Sequence, residues 1–146
     1  MQGMGLGPGQ GTAGRPTVRN AVMTMVIPFA VMFGGNILVS ILASVTGVYQ
    51  LAYAGQLFSL VGWVLWMVAL WKMSKELDEI TGTFKNWWFF LIPILNLYAI
   101  LILLPQEMTK AKQMRGVQAP TRNLVVYFFF SLYAFAADLN DIAHAP

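Results

Sequence analysis

The chain has 146 residues, of which 58% are hydrophobic and only 10% charged, where a soluble globular domain carries about 25% charged residues. That balance excludes a water-covered surface, and the apolar residues gather in blocks near the roughly 20 residues that cross a bilayer's hydrocarbon. A net charge of +3 dispersed among these blocks excludes a nucleic-acid surface, which needs clustered basic residues, and the lack of cysteine excludes disulfides, thiolate metal sites and cysteine nucleophiles.

The composition implies an all-α fold, a polytopic membrane helical bundle with four membrane-embedded helices. Residues 1–20 are glycine-rich, contain Pro8 and Pro16, and have almost no bulky apolar side chains. They read as a tail, flexible or ordered by a partner, because they bury no core of their own. Residues 21–146 read as one membrane domain with blocks at 21–45, 51–71, 87–104 and 123–138. Arg15 and Arg19 ahead of the first block imitate a secretory signal. The run is longer than a signal's apolar region, however, and Ile41 spoils the small-x-small pattern before Ala43, so a retained helix is expected.

An uncharged link at 47–50 leads into the second block, and a polar continuation at 72–81 places Lys72 with Glu76 and Lys75 with Glu79 at helical i,i+4 spacing. Gly82 supplies the left-handed residue that ends helices, which predicts one rod of about 30 residues and about 45 Å. The third block runs past Pro93 and Asn96 to Pro105, and its polar tail stops at Gly116. Pro93 removes a backbone donor, so a kink or re-entrant turn is expected there, with Asn96 placed to help satisfy the freed backbone. The last block ends in Asp138, Asn140 and Asp141 and reads as running out into a frayed terminus. Arg19-Asn20, Lys85-Asn86 and Arg122-Asn123 open three of the blocks and form a weak repeat of capped helices with basic anchors.

Candidate chemistry is sparse. No ionisable residue lies mid-block, which disfavours a carboxylate relay. Asp138, Asp141 and His144 share a helix face at i, i+3 and i+6, but a solvated terminus accounts for them, so no metal or catalytic site is expected. The glycines at 3, 5, 7 and 9 follow no strand and lack a Gly-Lys-Ser/Thr ending, so they form no phosphate loop. Small residues say more: Gly55, Ser59 and Gly62 line one face of the second helix, and Asn36 and Ser40, continued by Ser44 and Gly47, line the first. These faces are expected to meet, because helices associate in lipid through close approach and interhelical hydrogen bonds. The tryptophans and tyrosines read as an interfacial belt and Phe128 to Phe130 as a lipid-facing patch. No histidine in a block can ligate a haem, so no cofactor is predicted, while a bound lipid or carotenoid needs only apolar walls.

Trp-x3-Leu-Ile-Pro-x2-Asn, from Trp87 to Asn96 and followed by Tyr98, resembles a span found in small multi-pass bacterial membrane families of unknown function. The resemblance implies a small polytopic helical protein and brings no activity or site residues.

The expected function is a non-catalytic accessory or assembly subunit of a larger membrane complex, partnered by lipids and other membrane subunits, in the bacterial inner membrane with its N-terminus cytoplasmic. The alternatives are a small homo-oligomeric channel or transporter with Asn36, Ser40 and Asn96 in the path, and a lipid- or carotenoid-binding protein. For topology, four full spans divide the nine Lys and Arg residues five against four. A re-entrant third block gathers all nine on one side and leaves acids alone on the other. Four spans are preferred here because backbone satisfaction in lipid is stricter than charge bias.

Overall fold

A computed structural model describes residues 15–145; the expectation of a flexible tail over 1–14 falls outside them. The described residues are helical, with no strand among them. Helix α1, Ala21–Thr46, opens where the Asn20 side chain accepts the Met23 N–H at 3.0 Å, filling one of the orphan donors of the first turn. Pro28 lies within it, and a wide π turn, Ala30–Gly34, follows, the usual response to a break in the backbone ladder. Gly47 at φ +71° ends α1 and Gly82 at φ +67° ends α2, Leu51–Thr81. Both rods are long and apolar enough to cross a membrane.

The third block is not one helix. Trp87–Leu91 forms a 3-10 turn, Ile92 is extended (φ −106°, ψ 118°), and Pro93 begins helix α3, which covers 93–114 with a π turn at Ala99–Leu103 two residues before Pro105. Proline suits the first position of a helix, where its missing N–H is no loss, and it forces the preceding residue to be extended. The expected kink is therefore a helix start. Asn96 satisfies the break through its backbone, its N–H reaching the Ile92 carbonyl at 2.7 Å, while its side-chain oxygen is buried without a partner.

Chain direction corrects the four-span expectation. Thr83, ahead of the third block, donates to Glu107 at 2.8 Å and accepts from Lys110 at 2.8 Å, so α3 returns to the end from which the block set out. The fourth block does the same. Helix α4, Leu124–Phe129, and helix α5, Ser131–Ala143, are joined through Phe130 (φ −133°, ψ 48°). The Arg122 backbone N–H then meets Asp138 at 3.3 Å, although a straight helix would carry residues 16 apart to about 24 Å. Two rods and two shorter hairpins therefore make the bundle. All nine Lys and Arg residues and all six acids gather at one end, and the acids expected alone on the far side are folded back among the bases.

Two further expectations change with this geometry. The terminus read as frayed is packed inside: Asp138 and Leu139 have no exposed surface, and Ile142 and Ala143 are 3% and 8% exposed. The tail also ends earlier than residue 20, because Pro16 is buried and Thr17 and Arg19 are bonded to α2. The core lies at the charged end, where Leu70, Met73 and Leu77 of α2 meet Leu104 and Met108 of α3 and Phe135 of α5. In the far half, among the described residues, α1 and α2 have only each other, and Val45 and Leu57 are 79% and 64% exposed.

With α1 and α2 crossing a membrane, single cysteines at Lys85 and Gly116 should label from the same side and one at Tyr49 from the other. Labelling of Lys85 and Gly116 from opposite sides would restore a spanning third block.

Candidate functional site

Three arrangements concentrate the polar chemistry, and the deepest was not foreseen. Helix α3 ends at Gly116 (φ +66°), with the Val117 N–H turned back to the Lys112 carbonyl at 2.9 Å, a glycine-dependent stop that reverses the chain. The reversal carries Arg122 and Tyr127 around Lys112, and the α4–α5 hairpin brings Asp138 and Asp141 to the same place. Lys112 Nζ donates to Asp138 and Asp141 at 2.8 Å each and to the Pro120 carbonyl at 3.1 Å, which uses all three ammonium protons. Asp138, with no exposed surface, accepts Lys112 and the Arg122 guanidinium on one oxygen, and on the other the Tyr127 hydroxyl at 2.6 Å and the Arg122 N–H. Arg122 also reaches Asp141 at 2.8 Å. Two cations and two carboxylates cancel, and each acceptor position of Asp138 is filled.

Burial alone would raise the Asp141 carboxyl; hydrogen bonds and charges from Lys112 and Arg122 outweigh it and hold this group below its ordinary value of 3.8. The cluster leaves no free nucleophile or base. It is a clamp, joining α3, the 116–123 loop, α4 and α5. Asp138, Asp141 and His144 do not converge, since both carboxylates face Lys112 and Arg122 while His144 Nδ1 contacts the Asn140 carbonyl at 2.7 Å.

A second clamp holds the chain entry. Arg19 forms a two-pronged pair with Glu76, and its backbone N–H and carbonyl are both bonded by the Asn140 side chain. Glu76 thus pairs with Arg19, and the expected Lys72–Glu76 pair is displaced. Lys75 does not pair with Glu79 either; its ammonium lies 4.3 Å from the centre of the Trp71 ring. Of the repeated basic-asparagine pairs, Asn20 and Asn123 cap helices through their side chains, whereas Asn86 does not.

The third arrangement is the α1–α2 contact. Asn36 Nδ2 donates to Ser59 Oγ at 2.5 Å and to the Met32 carbonyl at 2.6 Å. Gly55 lies against Asn36 and Gly62 against Pro28 and Met32. Ser40 is not in this contact: it is exposed, and Val39 and Ala43 take the buried positions. The difference is one residue of register, since Asn36, Val39 and Ala43 follow i, i+3, i+7 spacing while the line through Ser40 and Ser44 turns outward. Asn96 lines a cleft of about 340 Å³ at the hairpin tips with Pro28, Met32, Gly62, Trp66 and Phe129, and so adjoins the α1–α2 contact at Met32 and Gly62. Pro93, Asn36 and Ser40 do not line this cleft.

A Cβ on Gly62 would meet the Pro28 carbonyl at 2.8 Å and the Met32 nitrogen at 2.9 Å, whereas one on Gly34 meets nothing within 4 Å. Gly62→Leu should therefore separate the rods and lower the melting temperature in detergent, while Gly34→Ala should leave it unchanged or raise it slightly through helix propensity. Equal melting of both variants would contradict this packing.

Removing one partner from a buried ion cluster costs about 3–5 kcal/mol. Asp138→Asn should lose on that order in denaturant unfolding, against less than about 0.5 kcal/mol for the exposed Glu79→Gln. Because the Asp141 value is lowered in the folded chain, its contribution is present above pH 3.8 and lost as pH falls through the folded value. Asp141→Asn should flatten that acid limb. Compared with known proteins, the chain matches no family model, no curated protein and no solved structure.

Proposed function

We propose that this chain is a non-catalytic integral membrane protein of the bacterial inner membrane that serves as an accessory or assembly subunit, with α1 and α2 crossing the bilayer and the two hairpins embedded in one leaflet. The charged end faces the cytoplasm, since the membrane side that carries Lys and Arg is the cytoplasmic one. N- and C-terminal segments then share that side. The absence of a free ionisable group along the apolar length leaves proton or ion coupling without a carrier.

One observation carries the assembly reading. Ser40 and Ser44, continued by Gly47 at the helix end, form a line of small residues on the outward face of α1, in the half of the rod where, among the described residues, only α2 accompanies it. The Ser44 hydroxyl is satisfied within its own helix, donating to the Ser40 carbonyl at 2.9 Å, so covering it leaves no unpaired donor. Small lines of this kind let a second helix approach closely in lipid. A channel reading needs Asn36, Ser40 and Asn96 along one path, and they occupy a helix contact, an outward face and a cleft that neither Asn36 nor Ser40 lines.

Ser44→Leu should abolish co-purification of a partner subunit in mild detergent while leaving the melting temperature within about 2 °C of wild type, the effect of a small surface change. A photo-reactive residue at Ile37 in native membranes should form adducts with that same polypeptide. Adducts with lipid alone, together with unchanged behaviour of Ser44→Leu, would overturn the reading.

A further inference from the structure

The inner end of α2 and the descending 3-10 turn enclose a groove that none of the three arrangements uses. Its mouth is a cavity of about 190 Å³ lined by the polar residues Ser74, Lys75, Asp78 and Lys85 together with Phe84 and Trp87. Below it, and sharing Trp87, lies an almost wholly apolar hollow of about 210 Å³ between Trp63, Met67 and Trp71 on α2 and Leu91 on the turn. From Lys75 to Trp63 the groove follows 12 residues of helix, about 18 Å, which is close to half of a ~30 Å hydrocarbon layer. The proportions are those of one leaflet.

The mouth holds unspent polar capacity. Ser74 is only 1% exposed, yet among the described residues its hydroxyl has no hydrogen-bond partner, and one Asp78 carboxylate oxygen is likewise buried and unpaired. Buried polar atoms of this kind are costly unless something completes them. Lys85 is exposed and forms no ion pair among the described residues, and Lys75 leans over the Trp71 ring at the boundary between the polar and apolar parts. Two cations flank one carboxylate. A simple anion would be drawn to the lysines and repelled by Asp78, so the charge pattern complements a headgroup that carries both signs.

Building on the membrane reading above, we propose that this groove binds one phosphatidylethanolamine molecule of the basic-side leaflet. Lys75 and Lys85 hold the phosphate, Asp78 accepts from the primary ammonium, the Ser74 hydroxyl bonds the headgroup, and one acyl chain descends between Trp71 and Leu91. Phosphatidylglycerol lacks the cation for Asp78. Phosphatidylcholine has a cation that cannot donate a hydrogen bond.

The test is native mass spectrometry of the full chain released from nanodiscs holding phosphatidylethanolamine, phosphatidylglycerol and phosphatidylcholine of equal acyl length in equal amounts. Wild type should retain one phosphatidylethanolamine at about tenfold excess over each competitor, the factor set by one charge-assisted hydrogen bond of roughly 1.4 kcal/mol. Asp78→Asn should lose the preference over phosphatidylglycerol, and Lys75→Gln with Lys85→Gln should lose retention of all three lipids. Lys72→Gln, an exposed lysine on the same helix outside the groove, should behave as wild type. Equal retention of the three lipids by wild type, or an unchanged preference in Asp78→Asn, would overturn the proposal. Resistance to alkaline extraction is read in parallel: a chain that stays in the membrane but shows no preference refutes the lipid site alone, whereas an extracted chain refutes the membrane reading itself.

Discussion

Asp138 carries a carboxylate to a position with no exposed surface, beside an apolar hairpin that has no charge of its own between Asn123 and Ala137. An isolated charge there would be prohibitive. It becomes tolerable only when Lys112, Arg122 and Tyr127 all arrive to fill its acceptor positions. Those three residues come from the end of one helix, a returning loop and the outgoing arm of the last hairpin. The clamp can therefore form only when the fourth block doubles back, and in doing so it fixes the direction of the last quarter of the chain. A buried ion cluster of this kind adds little net stability over a well-packed apolar substitute, but a partial one is strongly disfavoured. Its effect is to penalise every arrangement in which α3 and α5 do not meet.

The distribution of mass follows from that constraint. At the charged end α1, α2, α3 and α5 surround a common core, whereas beyond the hairpin tips α1 and α2 continue as a pair. In the thin half Gly55 lies against Asn36, whose amide crosses to Ser59, and at the hairpin tips Gly62 seats Pro28 and Met32. Close backbone approach replaces the missing neighbours, as expected where there is no water to drive helices together. In the membrane reading this makes the chain wedge-like, filling one leaflet more than the other. The groove beside Trp71 and the cleft at the hairpin tips both lie in the broader half.

Much of this was legible in the residues. The length of α1 followed from an apolar run and that of α2 from an apolar run with its polar helical continuation, Gly82 and Gly116 marked helix ends through their need for positive φ, and Asn20 and Asn123 marked two beginnings. The contact through Asn36, Gly55, Ser59 and Gly62 was visible as small-residue spacing. What misled was direction. An apolar block has the same composition whether it crosses or returns, and nothing in the local sequence marks the turn at Phe130, which has neither glycine nor proline beside it. One signal was available: between Arg122 and Asp138 only 15 residues are uncharged, short of the ~20 needed to cross. Ser40 was misplaced because polarity and small size were weighed above register, when Val39 and Ala43 occupy the i+3 and i+7 positions that the Asn36 contact requires. Lys112, Arg122 and Tyr127 were invisible as a site because each is unremarkable alone, and only the two chain reversals bring them together.

The central claim is that both later blocks return to the end they start from, and a distance between spin labels tests it most directly. Labels at Thr83 and Lys110 bracket the third block, and labels at Asn123 and His144 bracket the fourth. In the folded chain each pair lies at one end of the bundle, so pulsed electron resonance in bilayers should give distances below about 20 Å for both. Spanning blocks would place about 30 Å of hydrocarbon between the members of each pair, and a distance near or above that value for either pair would contradict the account.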